Sequence, residues 1–136
     1  MTVRVPEWLI KEVRKAKRNH NAEEGQKTGE LLERLGLSTV CVSARCPNRN
    51  ECFSRNTATF LILGEVCTRN CAFCAVESGR LPDPPSVDEP YRLARAISEM
   101  GISHAVITSV TRDDIPDGGA AHFAKTVRTI RELCPS

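Results

Sequence analysis

The sequence predicts an α/β fold: two β-loop-α units preceded by a helical, cysteine-rich extension. Two short apolar, β-branched runs, 59–63 and 105–110, each lead through a polar loop into a segment whose apolar residues recur at helical spacing. Seven cysteines fall almost entirely into two tight groups, one ahead of the first run and one directly after it. The 136 residues, 40% hydrophobic and 4% aromatic, suffice for one domain with one core but fall short of a complete eight-stranded α/β barrel.

Taken in order, Pro6 to Arg18 forms a short helix, with Pro6 where a first helical residue can sit and Trp8, Leu9 and Val13 marking an apolar stripe. Arg14, Lys15, Lys17 and Arg18 make its other face basic, either a solvated surface or a dock for an acidic partner. After a polar stretch from Asn19 to Gly25, Leu31, Leu32 and Leu35 return at helical spacing and Gly36 is a natural C-terminal cap. The first cysteine group then lies in a loop-like region rich in Ser, Asn, Arg and Pro. The character changes near residue 57, which divides the chain into 1–56 and 57–136. Thr59-Phe60-Leu61-Ile62-Leu63 is continuously apolar and ends at Gly64, as expected of a strand buried on both faces of a parallel sheet. Pro82, Pro84 and Pro85 mark a rigid connection. Asp88 is placed to cap a helix that carries Pro90 in its first turn, buries Leu93, Ile97 and Met100, and ends at Gly101. Ala105 to Val110 is the second strand, Thr111 to Gly119 a polar loop, and Asp117 the cap of a last helix with Phe123, Val127 and Ile130 on one face.

Parallel strands joined by right-handed crossovers place their strand-to-helix loops at one end of the sheet, where α/β proteins build their sites. The second cysteine group and the 111–119 loop are both such loops and are expected to face each other. Lys plus Arg total 19 against 17 Asp plus Glu, a net charge of +2 that gives no argument for nucleic acid or an anionic membrane. No apolar run approaches the roughly 20 residues that cross a bilayer, so a cytoplasmic protein is expected.

Cys41, Cys46 and Cys52 are spaced C-x4-C-x5-C, Cys67, Cys71 and Cys74 are spaced C-x3-C-x2-C, and Cys134 stands apart as a free thiol. An odd count without an export signal argues against a disulfide framework and for metal or cluster sites. Thiolate is the usual ligand of iron-sulfur clusters, and three thiolates on a cubane leave one iron open for substrate. Zinc is the alternative, although it prefers four ligands, often as two C-x2-C pairs. His20, His104 and His122 carry no ligand spacing and read as surface or packing residues.

The C-x3-C-x2-C loop after a first parallel strand resembles the radical S-adenosylmethionine superfamily. Its context is more specific: Arg45-Cys46-Pro47-Asn48, Glu51-Cys52, Ala58 to Gly64, Cys67-Thr68-Arg69-Asn70-Cys71-Ala72-Phe73-Cys74, Val106 to Val110, and Arg112-Asp113-Asp114-Ile115-Pro116-Asp117-Gly118-Gly119-Ala120. From about Trp8 onward the chain resembles the N-terminal part of the lipoyl synthase family. The resemblance implies a partial (β/α) TIM-type barrel of the radical S-adenosylmethionine class. It implies two 4Fe-4S clusters, a catalytic one on Cys67, Cys71 and Cys74 and an auxiliary, sulfur-donating one on Cys41, Cys46 and Cys52. It also implies S-adenosylmethionine, cleaved reductively to a 5′-deoxyadenosyl radical, with sulfur inserted at C6 and C8 of an octanoyl chain on a lipoyl carrier protein. An electron donor such as a ferredoxin or flavodoxin is implied as well.

Phe73, between two ligands, either touches the adenine of S-adenosylmethionine or packs under the loop. Arg112, Asp113, Asp114, Gly118 and Gly119 fall in the loop expected beside the cluster, as cofactor contacts or as a turn before a capped helix. Val42, Ser43, Asn50 and Phe53 depart from the family pattern. The Arg-Ser-Ser-Tyr motif that would supply a fourth auxiliary-cluster ligand does not occur in the 136 residues. The expectation is therefore a truncated chain, inactive on its own, whose second strand has an unpaired edge prone to aggregation. Another sulfur-inserting radical enzyme and a non-catalytic iron-sulfur fragment are the competing readings.

Overall fold

In the computed structural model, which describes residues 5–18, 22–80 and 82–135, nine elements follow one another. They are α1 (Glu7–Arg18), α2 (Ala22–Arg34), β1 (Ser38–Thr39), α3 (Val40–Ser43), α4 (Arg49–Ser54), β2 (Thr59–Ile62), α5 (Glu89–Met100), β3 (Val106–Ser109) and α6 (Ala120–Leu133). His20 and the side chains of Lys15, Lys17 and Arg18 lie outside the described residues.

The strands form one sheet in the order β1-β2-β3. β2 and β3 run parallel with Thr59 opposite Val106 and Ile62 opposite Ser109, as the two apolar runs predict, and β1 joins β2 antiparallel through Ser38–Leu61 and Thr39–Phe60. Phe60, Leu61 and Ile62 are buried, and Leu93, Ala96, Ile97 and Met100 of α5 close over them in one apolar core. Leu32, Leu35, Cys41 and Phe53 belong to that same core, so the portions on either side of residue 56 share a sheet and an interior. The full barrel is not formed by these three strands.

Several local expectations change. The region holding the first cysteine group is half helical, but α3 and α4, of four and six residues, are too short to show a period in the sequence. α2 starts at Ala22 and takes in residues 22–25 of the polar stretch. Asp88 sits at the N-cap of α5 without bonding a backbone N–H; its carboxylate instead meets Ser86 and Arg92. On α6, Thr126 and Thr129 are more deeply buried than Phe123, Val127 and Ile130. Thr126 tolerates this because its hydroxyl donates to His122 O at 2.8 Å. The α1 stripe is exposed, Trp8 by 66%. Among the described residues no helix is long and apolar enough to cross a membrane.

Candidate functional site

β2 ends in two left-handed residues, Leu63 (φ 70) and Gly64 (φ 96), which turn the chain sharply out of the sheet into the second cysteine group. Cys67 is then fixed from both sides of its backbone: its N–H donates to Glu77 O at 2.8 Å and its carbonyl accepts from Gly79 N at 2.9 Å. Thr68 N donates to Thr111 O at 3.0 Å, and Thr68 Oγ1 lies 2.9 Å from Asp113 Oδ2. Arg69 forks onto Asp113, with Nε to Oδ2 and Nη2 to Oδ1 both 2.9 Å. The cysteine loop and the 111–119 loop thus face and grip each other at one end of the parallel pair, as strand-to-helix loops of one sheet must.

The thiols differ in setting. Burial pushes Cys67 up, but N–H donors from Arg69 and Thr111, the latter 3.4 Å from Sγ, outweigh it and hold the thiol below its ordinary value. Cys71 and Cys74 are exposed on one tight turn closed by Cys74 N to Cys71 O at 3.0 Å. Phe73 between them is 94% exposed, so it does not pack under the loop. Asp113 is held below the usual carboxylate range by its hydrogen bonds from Arg69 and then Thr68.

The remaining loop residues have partners inside the protein. Arg112, 2% exposed, donates to Leu63 O at 2.8 Å and forks onto both oxygens of Asp114 at 2.9 and 2.8 Å. Its charge is committed to the scaffold and does not face the loop opening. Gly119 (φ 91) lies directly against the Leu63 side chain, whereas Gly118 (φ 63) has open space where a Cβ would point. Gly119, not Asp117, stands at the N-cap of α6, but the Asp117 carboxylate still accepts Gly119 N–H at 2.9 Å and the first-turn Ala121 N–H at 2.8 Å from two residues ahead. His122, read from sequence as a surface or packing residue, lies 2.7 Å from the buried Glu89, whose Oε2 also accepts Leu63 N–H at 3.1 Å. Spacing hides this pair, because its partners are 33 residues apart on two helix starts. Cys134 is half-buried and donates to Ala94 O at 3.2 Å, as befits a free thiol.

The first group is organised by helix ends. Thr39 caps α3, accepting Val42 N–H at 3.3 Å, and places the buried Cys41 in the only turn of that helix. Arg45 takes the left-handed region (φ 53), so that Cys46 N–H reaches back to Cys41 O at 3.1 Å. Asn56 (φ 51) does the same after α4, and Thr57 N bonds Cys52 O at 2.8 Å. Burial raises the pKa of Cys52, and the neighbouring thiols of Cys41 and Cys46 raise it further, which marks the three as one electrostatic group. A cavity of about 1020 Å³ lies beside them, lined by Glu30, Glu33, Val42, Arg49 and Glu65 among others, but no cysteine opens into it.

Among the described residues no three His, Cys, Asp or Glu side chains converge on a point as one bound ion requires. A cubane asks for something else: thiolates only, each on a different iron. Two all-cysteine sets, one on a backbone-pinned loop and one on two short helices and the turn between them, have the donor chemistry that demand calls for.

The Radical SAM superfamily model matches residues 61–135. The chain is 54% identical over 131 residues to a protein of Rhodopirellula baltica named lipoyl synthase, covering 96% of this chain and 40% of that protein. It is 53% identical over 133 residues to the lipoyl synthase of Caldanaerobacter subterraneus, covering 98% and 44%. It is 52% identical over 135 residues to that of Nitratidesulfovibrio vulgaris, covering 99% and 43%. The chain therefore spans less than half the length of these relatives.

Proposed function

The chain belongs to the Radical SAM superfamily, and from that premise we propose that it carries both cluster-binding motifs of a lipoyl synthase. The observation that carries the reading is the C-x3-C-x2-C loop at the end of a buried parallel strand, gripped by the loop of the next β-loop-α unit.

Cys67, Cys71 and Cys74 would hold a 4Fe-4S cluster beside which S-adenosylmethionine would be bound. Bound there, the two would supply hydrogen abstraction from an unactivated C–H bond, chemistry beyond any acid or base side chain. The chain's own residues position that pair. The Thr68 and Arg69 bonds to Thr111 and Asp113 fix the loop, the backbone donors on Cys67 favour the thiolate that ligates iron, and the exposed Phe73 offers a face to adenine. Asp113 and Gly118, on the loop that grips the cysteine loop, are the cofactor contacts of this reading, while Asp114, with both oxygens taken by Arg112, acts together with Arg112 and Gly119 through the scaffold behind them. Cys41, Cys46 and Cys52 would hold a second 4Fe-4S cluster, the source of sulfur in this reading. The substrate is an octanoyl chain in amide linkage on a lipoyl carrier protein, taking sulfur at C6 and C8, with electrons from a cytoplasmic ferredoxin or flavodoxin.

Anaerobic reconstitution tests the reading. It predicts about eight irons per chain with matching labile sulfide, and an electron paramagnetic resonance spectrum of which one component changes when S-adenosylmethionine is added. Cys67→Ala should abolish that component and spare the other, and Cys52→Ala should do the reverse. Zinc without labile sulfide would overturn the proposal.

A further inference from the structure

Leu63 adopts φ 70, a region that bulky side chains rarely enter and that persists only where the surroundings over-determine it. Here they do. Its N–H is bonded to Glu89 Oε2 at 3.1 Å, its carbonyl to Arg112 Nη1 at 2.8 Å, and its side chain is buried against Gly119. Each holding group is itself held: Glu89 Oε2 lies 2.7 Å from His122 Nε2, and Arg112 is forked onto Asp114. Glu89 opens α5, Arg112 follows β3 and His122 stands in the first turn of α6. Both β-loop-α units therefore converge on Leu63, the non-glycine member of the left-handed pair Leu63–Gly64 through which the chain leaves β2 for Cys67. An acidic residue in a first helical turn needs only water and the helix dipole, so burying Glu89 against a histidine and a distant backbone N–H calls for a further reason.

We infer that Glu89 and His122 are positioning residues for the cysteine loop: with Arg112 they lock the left-handed backbone of Leu63 and so fix the direction from which Cys67, Cys71 and Cys74 reach a cluster. This rests on the reading of those cysteines as cluster ligands.

The test compares wild type with Glu89→Ala, Glu89→Gln and His122→Ala, using Glu99→Ala at the far end of the same helix as control. Each is reconstituted anaerobically and its reduced spectrum recorded with and without S-adenosylmethionine. Glu89→Ala is expected to lose the cofactor-sensitive component, with iron falling from about eight to about four per chain. His122→Ala should weaken the same component. Glu89→Gln, which keeps an oxygen for Leu63 N–H, should retain most of it, and Glu99→Ala should match wild type. The clamp is wrong if Glu89→Ala and His122→Ala both keep the wild-type iron and cofactor response, or if Glu89→Gln loses as much as Glu89→Ala. Should Glu89→Ala fail to fold, His122→Ala decides alone. A wild type without labile sulfide would overturn the proposed function instead. The clamp would then be read in cluster-free protein, where Glu89→Ala should speed hydrogen exchange at the Leu63 amide about tenfold and an unchanged rate would count against it.

Discussion

Gly118 and Gly119 are neighbours of identical type, yet their surroundings give them different tolerances. Both have positive φ, 63 and 91, so an alanine at either is strained by about 1–2 kcal/mol. At Gly118 nothing else stands in the way, whereas a Cβ at Gly119 would overlap Leu63 Cδ1 and lie 3.0 Å from Cδ2 of a side chain with no room to move. Gly119→Ala should therefore destabilise by about 1–3 kcal/mol more than Gly118→Ala; equal urea midpoints for the two variants would contradict the close approach. Asp113 predicts a pH effect. Arg69, then Thr68, hold its folded pKa below the ordinary value of about 3.9, so its contribution is present above about pH 4 and is lost as pH falls through the lowered folded value. Asp113→Asn should thus flatten the loss of stability of the cluster-free protein between about pH 5 and 3, and urea melts across that range that fall with the wild-type slope would refute it. The placement of the second cysteine group against the 111–119 loop, the helix-start contacts of Asp117 and the free Cys134 were legible in the sequence because spacing or local position defines them. The partners of Arg112 and His122 were not: Arg112 reads as a cofactor contact or turn residue and His122 as a surface or packing residue, and only the tertiary fold brings Leu63 O and Glu89 to them.

At the scale of elements, periodicity found what was long enough to have a period. α5, α6 and the parallel pair β2 and β3 follow from apolar spacing and β-branched runs, and the C-terminal half of α2 from its leucines. β1, α3 and α4, of two, four and six residues, escape it, and they shape the first cysteine group. What holds α4 in place is close packing on α2, where Thr28 Oγ1 donates to Phe53 O at 2.9 Å and two glycines face the same neighbour. A Cβ at Gly29 would meet only Phe53 Cε2 at 4.0 Å, an ordinary contact, while one at Gly25 would stand 3.2 Å from the backbone oxygen of Asn50. Gly29→Ala should accordingly stabilise by about 0.5–1 kcal/mol through helix propensity. Gly25→Ala should gain less or nothing, because α4 must give way. Thermal melts of the two variants check the order, and a Gly25→Ala protein more stable than Gly29→Ala would mean that α4 does not pack as closely as described.

The whole molecule depends on how the portion bearing Cys41, Cys46 and Cys52 is fastened to the portion bearing Cys67, Cys71 and Cys74. If one cluster supplies sulfur to a carbon activated at the other, their relation has to be rigid. β1 provides one fastening by pairing with β2, and the shared apolar core a second. The third is Arg92 of α5, whose Nη1 donates to Leu35 O at 2.8 Å and Gly36 O at 2.7 Å, satisfying carbonyls that the end of α2 leaves without helical partners. Nearby, Arg34 and Glu99 form a second link between the same helices at 2.7 Å, but Arg34 is 63% exposed, and such surface pairs are worth at most about 1 kcal/mol. The bond to Leu35 O is half-buried and the one to Gly36 O exposed; a hydrogen bond from a charged donor is worth about 1.5–3 kcal/mol, and the half-buried one carries most of that here. Arg92→Ala should therefore destabilise markedly more than Arg34→Ala. Because Arg92 bridges the two portions, its loss should also be felt unevenly: hydrogen exchange in 22–56, which depends on it for attachment, should quicken before exchange in the β2, β3 and α6 segments. Equal acceleration throughout, or an Arg34→Ala variant as unstable as Arg92→Ala, would show that the sheet and core alone join the two cysteine-bearing portions.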